Sequence, residues 1–249
     1  MSSEPAGVRD AVILAAGNGD RFQDPNHRSK LLHPVLGQPL ILRTLQSAAE
    51  AGITSLHVVI GYDAERLRSL VESSRIPGVS VDFVHNADWQ LENGVSALCA
   101  EALCPDGRFA LLMGDHLFDP AVLRRLCAYR VAPGESVLAV DKRPADPVLV
   151  DEATRVRLHD DRIVAIGKGL TPWDALDTGM FVFTPALYAA LRDARAAGET
   201  TLSAGVQRLA ARGVMRAAAV VDSSWCDIDT SDDLGIAEAL FAPAGAGPA

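Results

Sequence analysis

The sequence predicts an α/β fold: a mixed, mainly parallel sheet with helices on both faces and an added antiparallel strand region. Three observations lead there. Short apolar runs alternate with helix-length stretches as far as about residue 134. From about residue 135 the runs become strand-like with few helices between them. Apolar residues make up 49% of the 249, enough to cover both faces of a large sheet.

"DAVILAA" (10–16) reads as a buried strand. "PLILRTLQSAAEAG" (39–52) reads as a helix, with Pro39 at its start and Gly52 at its stop. "SLHVVIGY" (55–62) is a strand and "DAERLRSLVES" (63–73) a helix. "VSVDFVH" (79–85) and "RFALLMGD" (108–115) are strands flanking the helical "VSALCAEALC" (95–104). Strands and helices alternating at these lengths imply parallel pairing. Strand-like stretches follow at 135–142, 155–160, 162–169 and 177–184, with "HDDR" (159–162) as a hairpin turn. Helices at 185–195 and 201–212, a strand at 215–222 and a helix at 231–240 complete the pattern. The expectation is one domain over 1–241, with 9–134 as a nucleotide-binding half and 135–241 as an acceptor-binding half that lays antiparallel strands over the sheet. The small-residue tail 242–249 is expected to be disordered.

A net charge of −9 argues against a nucleic-acid or anionic-membrane binder. Cys99, Cys104, Cys127 and Cys226 form no CxxC pair and no zinc-finger spacing, as expected of free thiols in a reducing compartment. No apolar run approaches the roughly 20 residues of a membrane span, and the first residues lack a signal-peptide pattern. A cytoplasmic protein is expected, and a homodimer stays open.

"AVILAAGNGDRFQDPNHRSKLL" (11–32) breaks a strand into glycines and a polar loop. It does not give the GxxxxGK[ST] spacing of a P-loop. A dinucleotide turn needs a third glycine where Phe22 stands, and a helix where "QDPNHRSK" follows. A bare GxG also fits a tight strand-to-loop turn. The remaining reading is an open loop around a triphosphate. In it Gly17 and Gly19 admit phosphate oxygens to backbone N–H groups, Arg21 supplies a planar fork and Lys30 a mobile charge.

Two acidic stretches complement the loop. "LLMGDH" (111–116) puts Asp115 at the carboxyl end of a strand, where sheet ligands sit, although a turn or N-cap Asp is the alternative. "SSWCDIDTSDDL" (223–234) places Asp227 and Asp229 two apart in extended chain, pointing the same way, with Asp232 and Asp233 in the first turn of the last helix. One Asp from each stretch could hold Mg²⁺ together with substrate phosphates, the arrangement of phosphoryl or nucleotidyl transfer. No GxSxG and no Cys–His pairing supports a covalent nucleophile.

"LAAGNGDRF" followed by Lys30 resembles the signature of the nucleoside-triphosphate-dependent nucleotidyltransferases that activate sugar phosphates and related alcohol phosphates. "ENGVSAL" (92–98), "LMGDH" (112–116), "VDEATRVRLHDDRIVAIGKGL" (150–170), "LDTGMFVF" (176–183), "TLSAGVQRLA" (201–210) and "WCDIDTSDDL" (225–234) continue the resemblance in order. Within that family the chain is most similar to the CTP:inositol-1-phosphate cytidylyltransferases. The resemblance implies a Rossmann-like sheet of the nucleotide-diphospho-sugar transferase type. It also implies transfer of CMP from CTP to a phosphomonoester such as inositol 1-phosphate, with release of pyrophosphate. Leu14, Ala15, Ala16, Gly17 and Gly19 would then line the nucleotide site, with Asn93 and Ser96 near the base and ribose. Arg21 and Lys30 would hold phosphates, and Asp115 and Asp229, with Asp227 as the near alternative, would bind Mg²⁺. Lys168 would face the acceptor phosphate, and Asp177 and Gly179 would border the acceptor pocket. Ser29 departs from the family's usual proline before the lysine, and a long loop leaves Arg28 without an assigned role.

A phosphonate, phosphocholine, another cyclitol phosphate or a hexose 1-phosphate with another nucleotide are rival substrates, with discrimination expected in "KRPADPVLVDEATR" (142–155). A non-catalytic nucleotide-sensing module and a dinucleotide-dependent oxidoreductase are rivals of other classes.

Overall fold

The computed structural model describes residues 7–22, 29–142 and 153–241. Its strands are β1 (Asp10–Ala15), β2 (Pro34–Val35), β3 (Gln38–Pro39), β4 (Ser55–Ile60), β5 (Ser80–His85), β6 (Phe109–Met113), β7 (His116–Phe118), β8 (Ser136–Asp141), β9 (Arg155–His159), β10 (Arg162–Gly167), β11 (Ala175–Phe183), β12 (Met215–Ala219) and β13 (Trp225–Asp227). The described α-helices are α1 (Leu40–Glu50), α2 (Ala64–Ser74), α3 (Asn93–Cys99), α4 (Pro120–Cys127), α5 (Ala186–Ala196), α6 (Leu202–Ala211) and α7 (Asp233–Phe241).

Nine strands form one sheet in the order β5-β4-β1-β6-β11-β8-β12-β10-β9. The first four are parallel neighbours. β11 runs antiparallel between β6 and β8, and β12 lies parallel to β8. The hairpin β9–β10 turns through Asp160, which has φ 57°, and Asp161, then closes the far edge. The later strands therefore do not lie over the sheet as expected but extend it edge to edge. β11 pairs directly with β6, Met180 opposite Leu112 and Phe183 opposite Phe109, so the backbone ladder runs on into the second half.

Helices cover both faces, which explains why β1 is an unbroken apolar run. Ala11, Ile13 and Ala15 enter one core with Leu40, Leu45 and Leu67, whereas Val12, Leu14 and Ala16 enter the other with Phe109, Tyr188 and Val206. Helix boundaries follow local chemistry. Thr201 caps α6 by accepting from Ala204 N–H, and Gly52, at φ 105°, follows the end of α1. The expected helix at 95–104 starts earlier, at Asn93, and tightens to a 3₁₀ turn from Ala100, because Pro105 disfavours helical backbone at Cys104. Helix α4 was not expected, although Asp119 caps it and Pro120 opens it, a readable pair of start signals. The tail 242–249 lies outside the described residues. Among the described residues no helix is long and apolar enough to cross a membrane.

Candidate active site

The site forms at the sheet edge where β1, β4 and β6 end. After β1 the chain turns at Gly19, whose carbonyl accepts from Phe22 N–H at 2.8 Å. Phe22 is buried and meets His33 edge-on, so the residue that broke the dinucleotide pattern anchors the loop in the core. Gly19 has φ +66°, and a Cβ there would lie 2.8 Å from Lys30 Cγ. The glycine therefore makes room for the lysine stem, a role beyond the phosphate approach expected of it.

Ser29 is fully buried. Its N–H donates to Asp63 Oδ2 at 3.3 Å, and its Oγ accepts from Leu31 N–H, capping the 3₁₀ turn Lys30–Leu32. A proline could hold the same backbone, since φ is −55°, but could not donate to Asp63. The cap aims Lys30 inward, leaving its side chain 8% exposed.

Opposite the loop, β6 ends in Gly114–Asp115, and Gly114 N–H donates to Leu14 carbonyl at 2.9 Å. The Thr44 hydroxyl on α1 lies 3.0 and 3.1 Å from the carbonyls of Gly114 and His116 and pins this turn. β7 then pairs antiparallel with β13, placing Asp227 directly opposite His116. Ile228 N–H reaches Asp115 carbonyl at 3.2 Å. Beyond it, Asp233 Oδ2 accepts from Asp229 N–H (2.9 Å), Thr230 N–H (2.7 Å) and the Thr230 hydroxyl (3.0 Å). Asp233 is thus more than a helix-start charge: it holds the backbone that presents Asp229.

Lys30 Nζ lies 2.8 Å from both Asp115 Oδ2 and Asp229 Oδ1, and Arg21 also pairs with Asp229. Burial pulls the lysine's pKa down, but Asp115, Asp227 and Asp229 outweigh it and hold the ammonium above its ordinary range. Burial alone would raise Asp115, yet Lys30 and His116 keep it well below the usual carboxylate range. Burial likewise opposes ionisation of Asp229, and Lys30 reverses the effect. Asp227 goes the other way: burial, helped by its acidic neighbours against the pull of His116, pushes it up to about 7. His116 is lifted to about 9 because Asp227, Asp115 and Asp177 outweigh its burial. Its Nδ1 is 3.0 Å from Asp115 Oδ1 and 3.6 Å from Asp227 Oδ1, and its ring stacks near Trp225. Asp177 is pushed up by burial to about 6, although it accepts from Gly179 N–H. A Cβ at Gly179, where φ is +73°, would lie 2.6 Å from His116 Nε2, so the glycine admits the imidazole.

Two cavities meet at this cluster. One, of about 550 Å³, is lined by Leu14–Arg21, Lys30, Trp89–Asn93 and Ser96. The other, of about 230 Å³, is lined by His116, Lys168, Asp177, Gly179, Trp225 and Asp227. Arg21, Asn93, Met113, Asp115 and Asp229 line both. Every residue that the sequence nominated therefore lies in one cavity or the other. Asn93 and Ser96 also have scaffold partners: Asn93 Oδ1 accepts from Leu202 N–H, and Ser96 Oγ accepts from Asn86 Nδ2. Sequence reasoning missed Trp89, which packs on Tyr62 and lines the larger cavity, because nothing local distinguishes it from a core aromatic. It also left out Asp233 and gave His116 no role. Arg28 lies outside the described residues, as does the discrimination segment apart from Lys142 and Ala153–Arg155, of which Ala153 and Thr154 line the smaller cavity.

The chain is 36% identical over 235 residues to the "Bifunctional IPC transferase and DIPP synthase" of Rubrobacter xylanophilus, covering 92% of this chain and 51% of that protein. It is 32% identical over 256 residues to the "CMP-5'-(3-aminopropyl)phosphonate synthase" of Streptomyces rubellomurinus, covering 94% of this chain and 39% of that protein. The chain thus spans about half the length or less of these curated relatives. Among solved structures, the inositol-1-phosphate CTP transferase of T. maritima superposes with a TM-score of 0.83 at 26% identity, over 94% of this chain and 96% of that one. The family model described as "MobA-like NTP transferase domain" matches residues 11–212. The chain therefore belongs to the MobA-like NTP transferase family.

Proposed function

We propose that the chain transfers CMP from CTP to a phosphomonoester of a polyol such as inositol 1-phosphate, releasing pyrophosphate. The observation that carries this reading is the meeting of two cavities at Arg21, Asp115 and Asp229, with Lys30 bound to both carboxylates from the larger one, where a nucleotide and a second phosphate would face each other. The likeness to the T. maritima transferase and to the Rubrobacter relative supports the choice of CTP and inositol phosphate. The smaller cavity supports a polyol, since its carboxyl and imidazole groups, Asp177 and His116, suit ring hydroxyls.

Asp115, Asp227 and Asp229 would hold Mg²⁺. They are hard oxygen donors, and Asp227 Oδ1 is buried without a hydrogen-bond partner among the described residues, which fits an ion. When bound, the ion supplies charge neutralisation to the phosphates. Lys30 would join Arg21 on the phosphate oxygens and stabilise charge in the transition state. Asp233 keeps Asp229 in place, and Lys168 faces the acceptor phosphate. A phosphate monoester is largely ionised at neutral pH. Its oxygen therefore attacks the α-phosphorus without a general base, forming the new P–O bond as the bond to the β-phosphate breaks and pyrophosphate leaves with the electron pair.

The test is pyrophosphate release from each of the four ribonucleoside triphosphates against a panel of phosphomonoesters and phosphonates. CTP with inositol 1-phosphate should be the fastest pair, and Lys30→Ala or Asp115→Ala should slow it about 100-fold or more. CTP inactive with every acceptor would overturn the reading, and CTP binding without pyrophosphate release would identify a sensing module. A phosphonate acceptor is the second reading, favoured by the Streptomyces relative, and the same panel separates the two.

A further inference from the structure

A second constellation of metal-ligating groups lies toward the opposite, amino-terminal ends of the parallel strands. Asp10 opens β1, and the strand runs five more residues, about 16 Å of extended chain, before it reaches the candidate active site. His57 on β4 is directly opposite Asp82 on β5, and it stands two residues beyond Ser55, the partner of Asp10. Strand alternation therefore puts Asp10, His57 and Asp82 on one face of three adjacent strands. Cys104, just after the 3₁₀ turn Ala100–Ala102, is buried in the core on the same face with Val12 and Val59.

One ligand atom from each of Asp10, His57 and Cys104 falls within 4.8 Å of the others. His57 Nε2 is 3.3 Å from Asp10 Oδ1, and its Nδ1 is 3.8 Å from Asp82 Oδ2, too far for a hydrogen bond. The imidazole is only 8% exposed, and Nδ1 is buried with no hydrogen-bond partner among the described residues. A histidine kept only to bond Asp10 would not explain why a thiol closes on the same pair, nor why a second carboxylate stands on the Nδ1 side of the ring.

We infer that Asp10, His57 and Cys104 form a site for Zn²⁺, bound through Asp10 carboxylate, His57 Nε2 and Cys104 thiolate, with the Asp82 carboxylate standing behind the ring on its Nδ1 side. The donor set selects the ion: a thiolate excludes Mg²⁺ and Ca²⁺, whereas mixed O, N and S ligands suit zinc. Binding releases the thiol proton to solvent, and the carboxylate and thiolate then balance the ion's two charges. A carboxylate behind a ligating imidazole is the usual second partner of a zinc-bound histidine. Asp10, 45% exposed, gives the ion access. The fourth ligand is water.

Co²⁺ titration of the full chain tests this, because cobalt reports a thiolate ligand by a charge-transfer band that carboxylate and imidazole sites lack. The wild type should show that band at one ion per chain, bleached by added Zn²⁺. Cys104→Ser should abolish it, His57→Gln should weaken binding by at least about tenfold, and Asp82→Asn by about tenfold. Cys226→Ser and Asp115→Asn, at the active site, should leave it unchanged. A wild type without the band, a band surviving Cys104→Ser, or a band lost in Cys226→Ser overturns the inference. Thermal melts of each variant confirm that it is folded, and His57→Gln decides the matter if Cys104→Ser is not.

Discussion

Two charged clusters built on different strands of the molecule follow opposite rules. At the amino end of β8, Glu135 is buried. Its carboxylate accepts from Ala132 N–H at 3.0 Å and Arg216 Nε at 3.1 Å, and Arg162 lies 3.2 Å away. Arg216 also binds Asp161. Two guanidinium groups face two carboxylates, and both oxygens of Glu135 accept a hydrogen bond. At the carboxyl ends of β1 and β6, four acids crowd around Lys30, Arg21 and His116, and Asp227 keeps a buried oxygen with no hydrogen-bond partner among the described residues. The first cluster is complete in itself and serves the fold. The second leaves a buried carboxylate oxygen unpaired among the described residues and lines two cavities, which is how a candidate binding site differs from a structural cluster.

Breaking the incomplete cluster should cost function and not stability. Asp227→Asn removes a charge held against burial, so transfer should fall about 100-fold while the metal-free melting temperature holds or rises; a variant that melts earlier and still turns over would erase the contrast. Asp233→Ala removes the acceptor of three donors behind Asp229. It should lower turnover about 10- to 100-fold and raise the Mg²⁺ concentration needed for half-maximal rate, read from metal titrations of activity.

Breaking the complete cluster should do the reverse. Glu135→Gln should lower the melting temperature by a few degrees with turnover per folded molecule unchanged. The hydrogen bond from Arg216 is the chief cause of the carboxyl's lowered pKa, helped by Ala132 N–H and Arg162 against burial. A lowered pKa stabilises fully above the unfolded value of about 4.5 and loses that effect as pH falls through the folded one. The gap between wild type and Glu135→Gln should therefore close in acid, as melts along a pH series would show.

The smallest effect belongs to Ser29→Pro. The backbone already has a proline-compatible φ, so the change trades the 3.3 Å bond to Asp63 and the Oγ cap for a stiffer loop. Stability should move by less than about 1 kcal/mol and turnover by less than about threefold in chemical denaturation and kinetic assays.

Much of the site was legible because its signals are local. A strand that breaks into glycines at 17 and 19, with Arg21 and Lys30 behind it, needs only neighbouring residues to be read as a phosphate loop. "LLMGDH" announces a carboxylate at a strand end in the same way. What stayed hidden depends on partners far apart in the chain. His116 gained a role only when β7 and β13 paired it with Asp227, and Asp233 only when its carboxylate turned back onto Asp229. Gly19 was read as a phosphate glycine, and the space it leaves for the Lys30 stem is set by how the loop folds back on itself. The antiparallel strands were foreseen but not their place, because alternation of apolar residues reports a strand without reporting its neighbour.

By itself the sequence determined the element types, the two covered faces and the chemistry available at the strand ends, since backbone preference and hydrophobic period act over a few residues. Only the tertiary structure decided that one lysine bridges Asp115 and Asp229, that two cavities share those carboxylates, and that Asp10, His57 and Cys104 meet beyond the other ends of the strands. Those distances are set by strand order and register, which emerge when the whole sheet packs.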